Sequence, residues 1–240
     1  MPQTFWDHLE ELRSTLIGIV AVSLITSVVA FSFKEILFDI ILAPSRNDFI
    51  THRLLNAEDF SINLMNVGLT EQFMVHVKAA MCAGILVASP YIIYMLFRFV
   101  SPALYDNERR YGIGIAGGGY LMFLVGATTN YFLVFPLTVR FLGTYQVSEV
   151  VTNMLTLDSY MDTLMMLTLT MGLVFELPVV CWLLGKMGLI NAQMLSHYRR
   201  HAFVIILIIA AIITPTGDPF TLFAVSLPIW LLYELSIRLI

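Results

Sequence analysis

The residues best placed to do chemistry are acids in two unlike settings. One is Glu176, in the apolar stretch Val174-Phe-Glu-Leu-Pro178. A carboxylate at the centre of such a run costs about 2.5–3.5 kcal/mol to place in a bilayer, so it must face protein or water. Two roles fit it: a polar site inside a membrane-embedded groove, or an acid hydrogen-bonded to a neighbouring helix for packing. Pro178, two residues on, brings no N–H and leaves a backbone carbonyl free. That predicts a kink with room for water or a ligand.

The other setting joins Glu10 and Glu11, near the N-terminus, to Glu108, in the polar stretch Arg98-Phe-Val-Ser-Pro-Ala-Leu-Tyr-Asp-Asn-Glu-Arg-Arg110. Carboxylates from two segments at one membrane surface suit a ligand that carries paired guanidinium groups. Each planar fork binds a carboxylate through two parallel, charge-assisted bonds of about 1.5–3 kcal/mol. Lysine has no such fork, so the site would prefer Arg-Arg over Lys-Lys. Spacing alone leaves a plainer reading open, in which Glu108 pairs with Arg109 or Arg110 and Glu11 with Arg13 as solvated surface charges. A further acid, Glu234, is expected to reach the interface and pair with Arg238 one turn on.

Composition says what must position these groups. Of 240 residues, 58% are hydrophobic and only 12% charged, with a formal net charge of −4 and a mean hydropathy of +0.83. Soluble domains carry about 25% charged residues, so this is an all-α integral membrane protein. The charge balance argues against a nucleic-acid partner. Crossing a bilayer takes about 20 apolar residues. The runs are 14–33, 79–97, 111–139, 163–185, 202–213 and 220–237, which predict six spans in a single domain, the last two short. Pro90 interrupts the second run, and Gly117-Gly118-Gly119 and Gly126 in the third let helices approach closely. Between the first two runs, Glu35–Leu42 and Phe60–Val67 are expected to form amphipathic caps on the outer face, around Pro44. The turn Thr214-Pro-Thr-Gly-Asp-Pro219 places Asp218 on that same side.

Basic residues orient the chain. With the N-terminus inside, the inner segments hold Arg13, Arg98, Arg109, Arg110, Lys186, Arg199, Arg200 and Arg238. The longer outer segments hold only Lys34, Arg46, Arg53, Lys78 and Arg140. The density favours both termini on the cytoplasmic side. The acidic start Phe5-Trp-Asp-His-Leu-Glu-Glu-Leu-Arg13 is unlike the basic head of a cleavable signal peptide, so the first span is expected to be retained. Cys82 and Cys181 fall in apolar runs and are expected to stay unpaired. The five histidines are expected to lie outside the spans, and no nucleophile elbow, zinc-protease or phosphate-loop motif occurs, so an enzyme is not expected.

Taken in order, the motifs resemble the TatC family, the polytopic receptor subunit of the twin-arginine protein translocase. The resemblance covers nearly the whole chain. It rests on Phe5-x-x-His-Leu-x-Glu-Leu-Arg13, Ala43-Pro44, Thr70-Glu-x-Phe-x-x-x-x-Lys78 and Ser89-Pro-x-x-x-Tyr94. It continues with Phe99-x-x-Pro-Ala-Leu-Tyr-x-x-Glu-Arg-Arg110, Tyr131-Phe-x-x-Phe-Pro136, Phe175-Glu-x-Pro178 and Thr214-Pro-Thr-Gly-Asp-Pro219. The resemblance implies a six-span, glove-like bundle whose concave face is lined by Glu176. It implies that Glu11 and Glu108 recognise the Arg-Arg of signal peptides on folded cargo, with Phe99 and Leu104 nearby and Glu10 and Arg13 in the same segment. It implies single-span partners, TatB and TatA, at the fifth span, further TatC copies, a bacterial cytoplasmic membrane, and transport driven by the proton-motive force without metal or organic cofactor. Two departures stand out: Ser14-Thr15 where the family often has a second basic residue, and Glu71-Gln-Phe73 for the usual Glu-Pro-Phe.

A different class of function is a proton-coupled small-molecule transporter using Glu176. Such a protein should show internal repeats and paired broken helices, and no repeat is visible here.

Overall fold

The computed structural model describes residues 5–46, 48–54, 62, 64–100, 112–146, 148 and 153–240. Within them the chain is helical almost throughout, because a backbone in hydrocarbon must satisfy its own N–H and C=O groups. Five segments are long and apolar enough to cross a membrane: Leu9–Phe31, Glu71–Phe99, Gly114–Thr144, Leu157–Lys186 and Pro219–Leu239. The second and fourth of these segments overrun their apolar runs at both ends, whereas the first stops at Phe31.

Helix α1 (Phe5–Phe31) runs beside α4 (Glu71–Val100). Thr26 Oγ1 donates to the Gly84 carbonyl at 2.9 Å. A Cβ on Gly84 would stand 2.6 Å from Ser27 Cα, so only glycine allows the two backbones this close. The remaining face of α1 is bare: Ile17, Leu24, Ile25 and Val28 are exposed, as suits a lipid-facing helix.

At the end of the molecule away from Glu10, a cap is built from α2 (Lys34–Leu42), a tight 3₁₀ turn (Ala43–Ser45) and α3 (Ile50–Leu54). Pro44 is buried in that turn, at a position where its missing N–H has no helical partner to lose. Its carbonyl lies 3.0 Å from His52 Nε2. The second expected cap is different: Leu64–Met65 is a strand, β1, paired in parallel with β2 (Leu155–Thr156), Leu64 against Leu155 and Met65 against Thr156. Phe60 and Ser61 lie outside the described residues. Of the cap expected over Phe60–Val67, the described part is held by backbone pairing with the second strand.

The third run is not one regular helix. It divides into α5 (Gly112–Thr129), a π-helical segment (Asn130–Val134) and α6 (Phe135–Thr144). The widened turn frees carbonyls, and the cap uses one of them: Thr51 Oγ1 donates to the Phe132 carbonyl. In return Tyr131 Oη donates to the Ile40 carbonyl at 2.6 Å. Tyr160 Oη donates to that of Ile41 at 2.8 Å.

The fourth run breaks where Pro178 predicts. Helix α7 (Leu157–Val174) ends, Phe175 and Glu176 form a turn, and α8 (Leu177–Lys186) follows. The Glu176 N–H bonds the Leu173 carbonyl at 3.1 Å, a tightened closing turn. Helix α7 forms the centre of the core, with Leu167 and Met171 fully buried beside Phe135, Val75 and Ile229. Gly126 lets α5 cross it, since a Cβ there would lie 2.5 Å from the Met171 carbonyl oxygen.

After a short helix, α9 (Ala192–His197), come α10 (Arg199–Ile213) and α11 (Pro219–Leu239). Helix α10 has 15 residues, fewer than the roughly 20 a full crossing takes. The expectation that both terminal helices are short holds for α10 only, since α11 has 21 residues. Near its end, Arg199 Nη2 reaches the Glu234 carboxylate at 2.9 Å. Arg199, not the expected Arg238, is thus the partner of Glu234.

A cleft and a groove around the predicted acids

The predicted acids fall into two separate places. At the N-terminal end, Glu10, Glu11, Ser14 and Thr15 on α1 face Met95 and Arg98 on α4 across an open cleft of about 390 Å³. Glu10 is exposed, Glu11 half-buried and Thr15 buried. Steps of four residues carry Glu10 and Glu11 onto the same helix face as Ser14 and Thr15, so the cleft wall is one stripe of α1. The structure therefore brings both N-terminal carboxylates beside the first residue of the polar stretch Arg98–Arg110. Arg13 and Phe99 are not among the residues that line it; Arg13 is exposed and Phe99 half-buried in the last turn of α4. Leu104 and Glu108 lie outside the described residues. Sequence reasoning passed over Ser14, Thr15 and Met95. The helical spacing from Glu10 and Glu11 was the signal for the first two, while nothing local marks Met95.

The second place is a groove of about 430 Å³ between α4, α5 and the α7–α8 break, walled by side chains such as Ile93, Phe97, Phe123, Leu173 and Val180. Glu176 is its acid. The carboxyl oxygen Oε1 is buried and has no hydrogen-bond partner among the described residues. The break before Pro178 leaves Glu176 in the turn between α7 and α8, at the wall of this groove. Among the described residues no hydrogen bond joins Oε1 to a neighbouring helix. Gly119 of α5 lies directly against the carboxyl.

The remaining singled-out residues are structural. Pro90 sits exposed within α4; the preceding Ser89 Oγ bonds the Leu86 carbonyl at 2.7 Å. Asp218 caps α11: its Oδ1 accepts the Thr221 N–H at 2.7 Å and its Oδ2 the Thr216 hydroxyl at 2.6 Å. Burial alone would raise its carboxyl, but these bonds from Thr216 and Thr221 outweigh it and hold the group below the ordinary aspartate range. At the cap end Lys78 bridges Asp158 at 2.8 Å and Asp162 at 2.7 Å. Glu71 accepts the N–H groups of Val67, Gly68 and Asp158. That fixes the start of α4 although Gln72 stands in place of the family's proline.

One histidine departs from expectation. His76 lies in α4, inside the segment apolar enough to cross a membrane, buried with its Nε2 3.1 Å from the Phe31 carbonyl. Its ring stacks on Phe31 at 3.9 Å between centroids, so aromatic packing and one backbone bond satisfy it there. Cys82 is buried and Cys181 half-buried, both as free thiols. Among the described residues no group of three His, Cys, Asp or Glu side chains is placed to hold a metal ion.

Comparison with known proteins places this arrangement in a family. The family model described as Sec-independent protein translocase protein (TatC) matches residues 7–228. A Sec-independent protein translocase protein TatC from Blattabacterium sp. subsp. Periplaneta americana is 36% identical, covering 97% of this chain and 93% of that protein. The TatC of Aquifex aeolicus is 35% identical over 100% of this chain and 94% of its own length. A crystal structure of the twin arginine translocase receptor TatC, 35% identical, superposes with a TM-score of 0.81 over 97% of both chains. A second, determined in DDM, gives 0.82 at the same identity. With the family matched along nearly its whole length, in sequence and in fold, the chain belongs to the TatC family of Sec-independent protein translocase proteins.

Proposed function

We propose that this protein is the receptor of a twin-arginine translocase. It binds Arg-Arg signal peptides of folded cargo at the cytoplasmic face and nucleates a translocation complex driven by the proton-motive force. The observation that carries the reading is the cleft in which Glu10 and Glu11 stand beside Arg98, at the mouth of the stretch that contains Glu108. Glu11 and Glu108 each take one guanidinium fork, and Glu10 adds negative field. Arg13, Arg98, Arg109 and Arg110 hold the face inside, while Phe99 and Leu104 offer apolar contact to the signal beyond its arginines. Six crossings follow if the 15-residue α10 spans a locally thinned bilayer, and the whole then closes into a glove around the Glu176 groove. Helix α10 presents Phe203, Val204, Ile208 and Ile212 outward; TatB and TatA, single-span proteins of the bacterial cytoplasmic membrane, dock there, and other copies of this chain complete the assembly. The proton-coupled transporter reading is set aside, because the relatives named above are translocase proteins.

The test is cross-linking of an Arg-Arg signal peptide from positions flanking Glu11 and Glu108. Glu108→Gln should abolish most cross-links to the Arg-Arg peptide and change those to a Lys-Lys variant little. Equal losses for both peptides would remove the fork from the account.

A further inference from the structure

The third run holds three consecutive glycines, and their surroundings differ. A Cβ on Gly117 or on Gly118 would meet no heavy atom within 4 Å. A Cβ on Gly119 would lie 3.0 Å from Glu176 Oε2, 3.2 Å from Ile93 Cγ2 and 3.6 Å from Glu176 Oε1. Gly126, on the same helix, serves a different end, since its missing Cβ admits backbone, the Met171 carbonyl, and the Phe175 ring. At Gly119 what enters the space is a carboxyl group. Glycine is a poor helix former beside alanine, so its presence mid-helix calls for a local cause.

We propose that Gly119 is a positioning residue: the space left by its absent side chain is the seat in which the Glu176 carboxyl rests against α5. The inference deepens the reading of Glu176 as the polar site of the groove and rests on it. The geometry leaves the carboxyl little choice. Ile93 closes the seat from α4, Phe123 and Leu173 line the groove nearby, and Oε1 is already buried without a partner. A methyl group at position 119 would stand 3.0 Å from Oε2, so the carboxyl must give by a few tenths of an ångström, off α5 and toward the groove that Glu176 lines. The carboxyl would then meet whatever fills the groove from a displaced position. Its chemistry would be unchanged and its place wrong.

The test compares the three glycines one at a time in purified, detergent-solubilised protein. The infrared difference between the unaltered protein and Glu176→Gln isolates the band of this one carboxyl. Gly119→Ala should shift that band, whereas Gly117→Ala and Gly118→Ala should leave it in place. An apolar carbodiimide, which adds to the acid and rearranges to a mass-tagged N-acylurea, should label Glu176 severalfold faster in Gly119→Ala than in the Gly118→Ala control. Should crowding at Ile93 unfold Gly119→Ala, the double variant Gly119→Ala with Ile93→Ala relieves that contact and retains the one to the carboxyl. It should show the same band shift. An unmoved band and labelling rate in the folded 119 variants, or equal shifts from position 118, would overturn the seat. Export of an Arg-Arg cargo is read separately. Normal export by Glu176→Gln with a shifted band in Gly119→Ala would refute the function assigned to Glu176 and leave the seat standing.

Discussion

The cleft at the N-terminal end and the groove at Glu176 both hold carboxylates, and they solve opposite problems. In the cleft the acids keep their water: Glu10 is exposed, Glu11 half-buried, and a cation, Arg98, shares the space. In the groove one acid sits among aliphatic and aromatic walls, with an oxygen that has no partner among the described residues. Exposed charges cost little to keep and attract at a distance, but salt screens them within about 10 Å at 0.1 M. An intramembrane acid is costly to place and nearly immune to salt, and it acts only on what touches it. The first region suits capture of a charged ligand from solution. The second suits a contact made after the ligand, or a partner, has entered the membrane.

The sharpest way to break this division is to exchange the acids for amides. Glu10→Gln with Glu11→Gln should weaken binding of an Arg-Arg peptide by about tenfold or more, the size of one lost charge-assisted bond. Raising the salt concentration should erode binding to the unaltered protein in the same direction. Glu176→Gln should leave peptide affinity and its salt dependence near those of the unaltered protein, as read by equilibrium binding. A matching loss of affinity in Glu176→Gln would merge the two regions into one site.

A second variant separates them by packing. Gly84→Val overfills the crossing of α1 and α4 and should cost about 1–3 kcal/mol in thermal unfolding. The cleft has walls on both α1 and α4, whereas no α1 residue lines the groove, so pushing the two helices apart should lower peptide binding while carbodiimide labelling of Glu176 holds. Equal disturbance of both would show that α4 transmits strain from one to the other.

The smallest expected effect belongs to neither region. Asp218→Ala removes the cap of α11 and should lower stability by about 0.5–2 kcal/mol without touching peptide binding. Because the folded carboxyl is held below the ordinary aspartate range, the cap's contribution is complete above that range. It fades only as pH falls through the lowered value. Unfolding of the unaltered protein and of Asp218→Ala should therefore converge in acid; a constant gap at every pH would mean that the charged cap contributes nothing.

How far the sequence was readable depended on the range of the cause. The long helices and the break at Glu176 come from hydrophobic runs and one proline, both local signals. Glu10 and Glu11 could be grouped because topology forces their segment to one face. What escaped was set at a distance. Glu234 takes Arg199 from another helix over Arg238 in its own. Leu64–Met65 becomes a strand because Leu155–Thr156 comes alongside. His76 enters α4 because Phe31 supplies both a ring and a carbonyl. Gly119 looked like a packing glycine until the Glu176 carboxyl was placed against it. Periodicity within one segment cannot report such neighbours.

The π-helical segment Asn130–Val134 has a consequence for how this chain can vary in length. A π turn holds one residue more than an α turn, and each residue turns a helix by about 100°. Deleting one residue there would turn the π turn into an α turn and leave the helix beyond it in phase, because the extra residue is what the widened turn absorbs. The bundle would keep its register, although Pro136 would then lie inside a continuous helix. What would go is the widened turn and its open carbonyls, among them that of Phe132, to which Thr51 Oγ1 donates. The extra residue thus serves the cap, and its loss would loosen the cap while sparing the packing of the core.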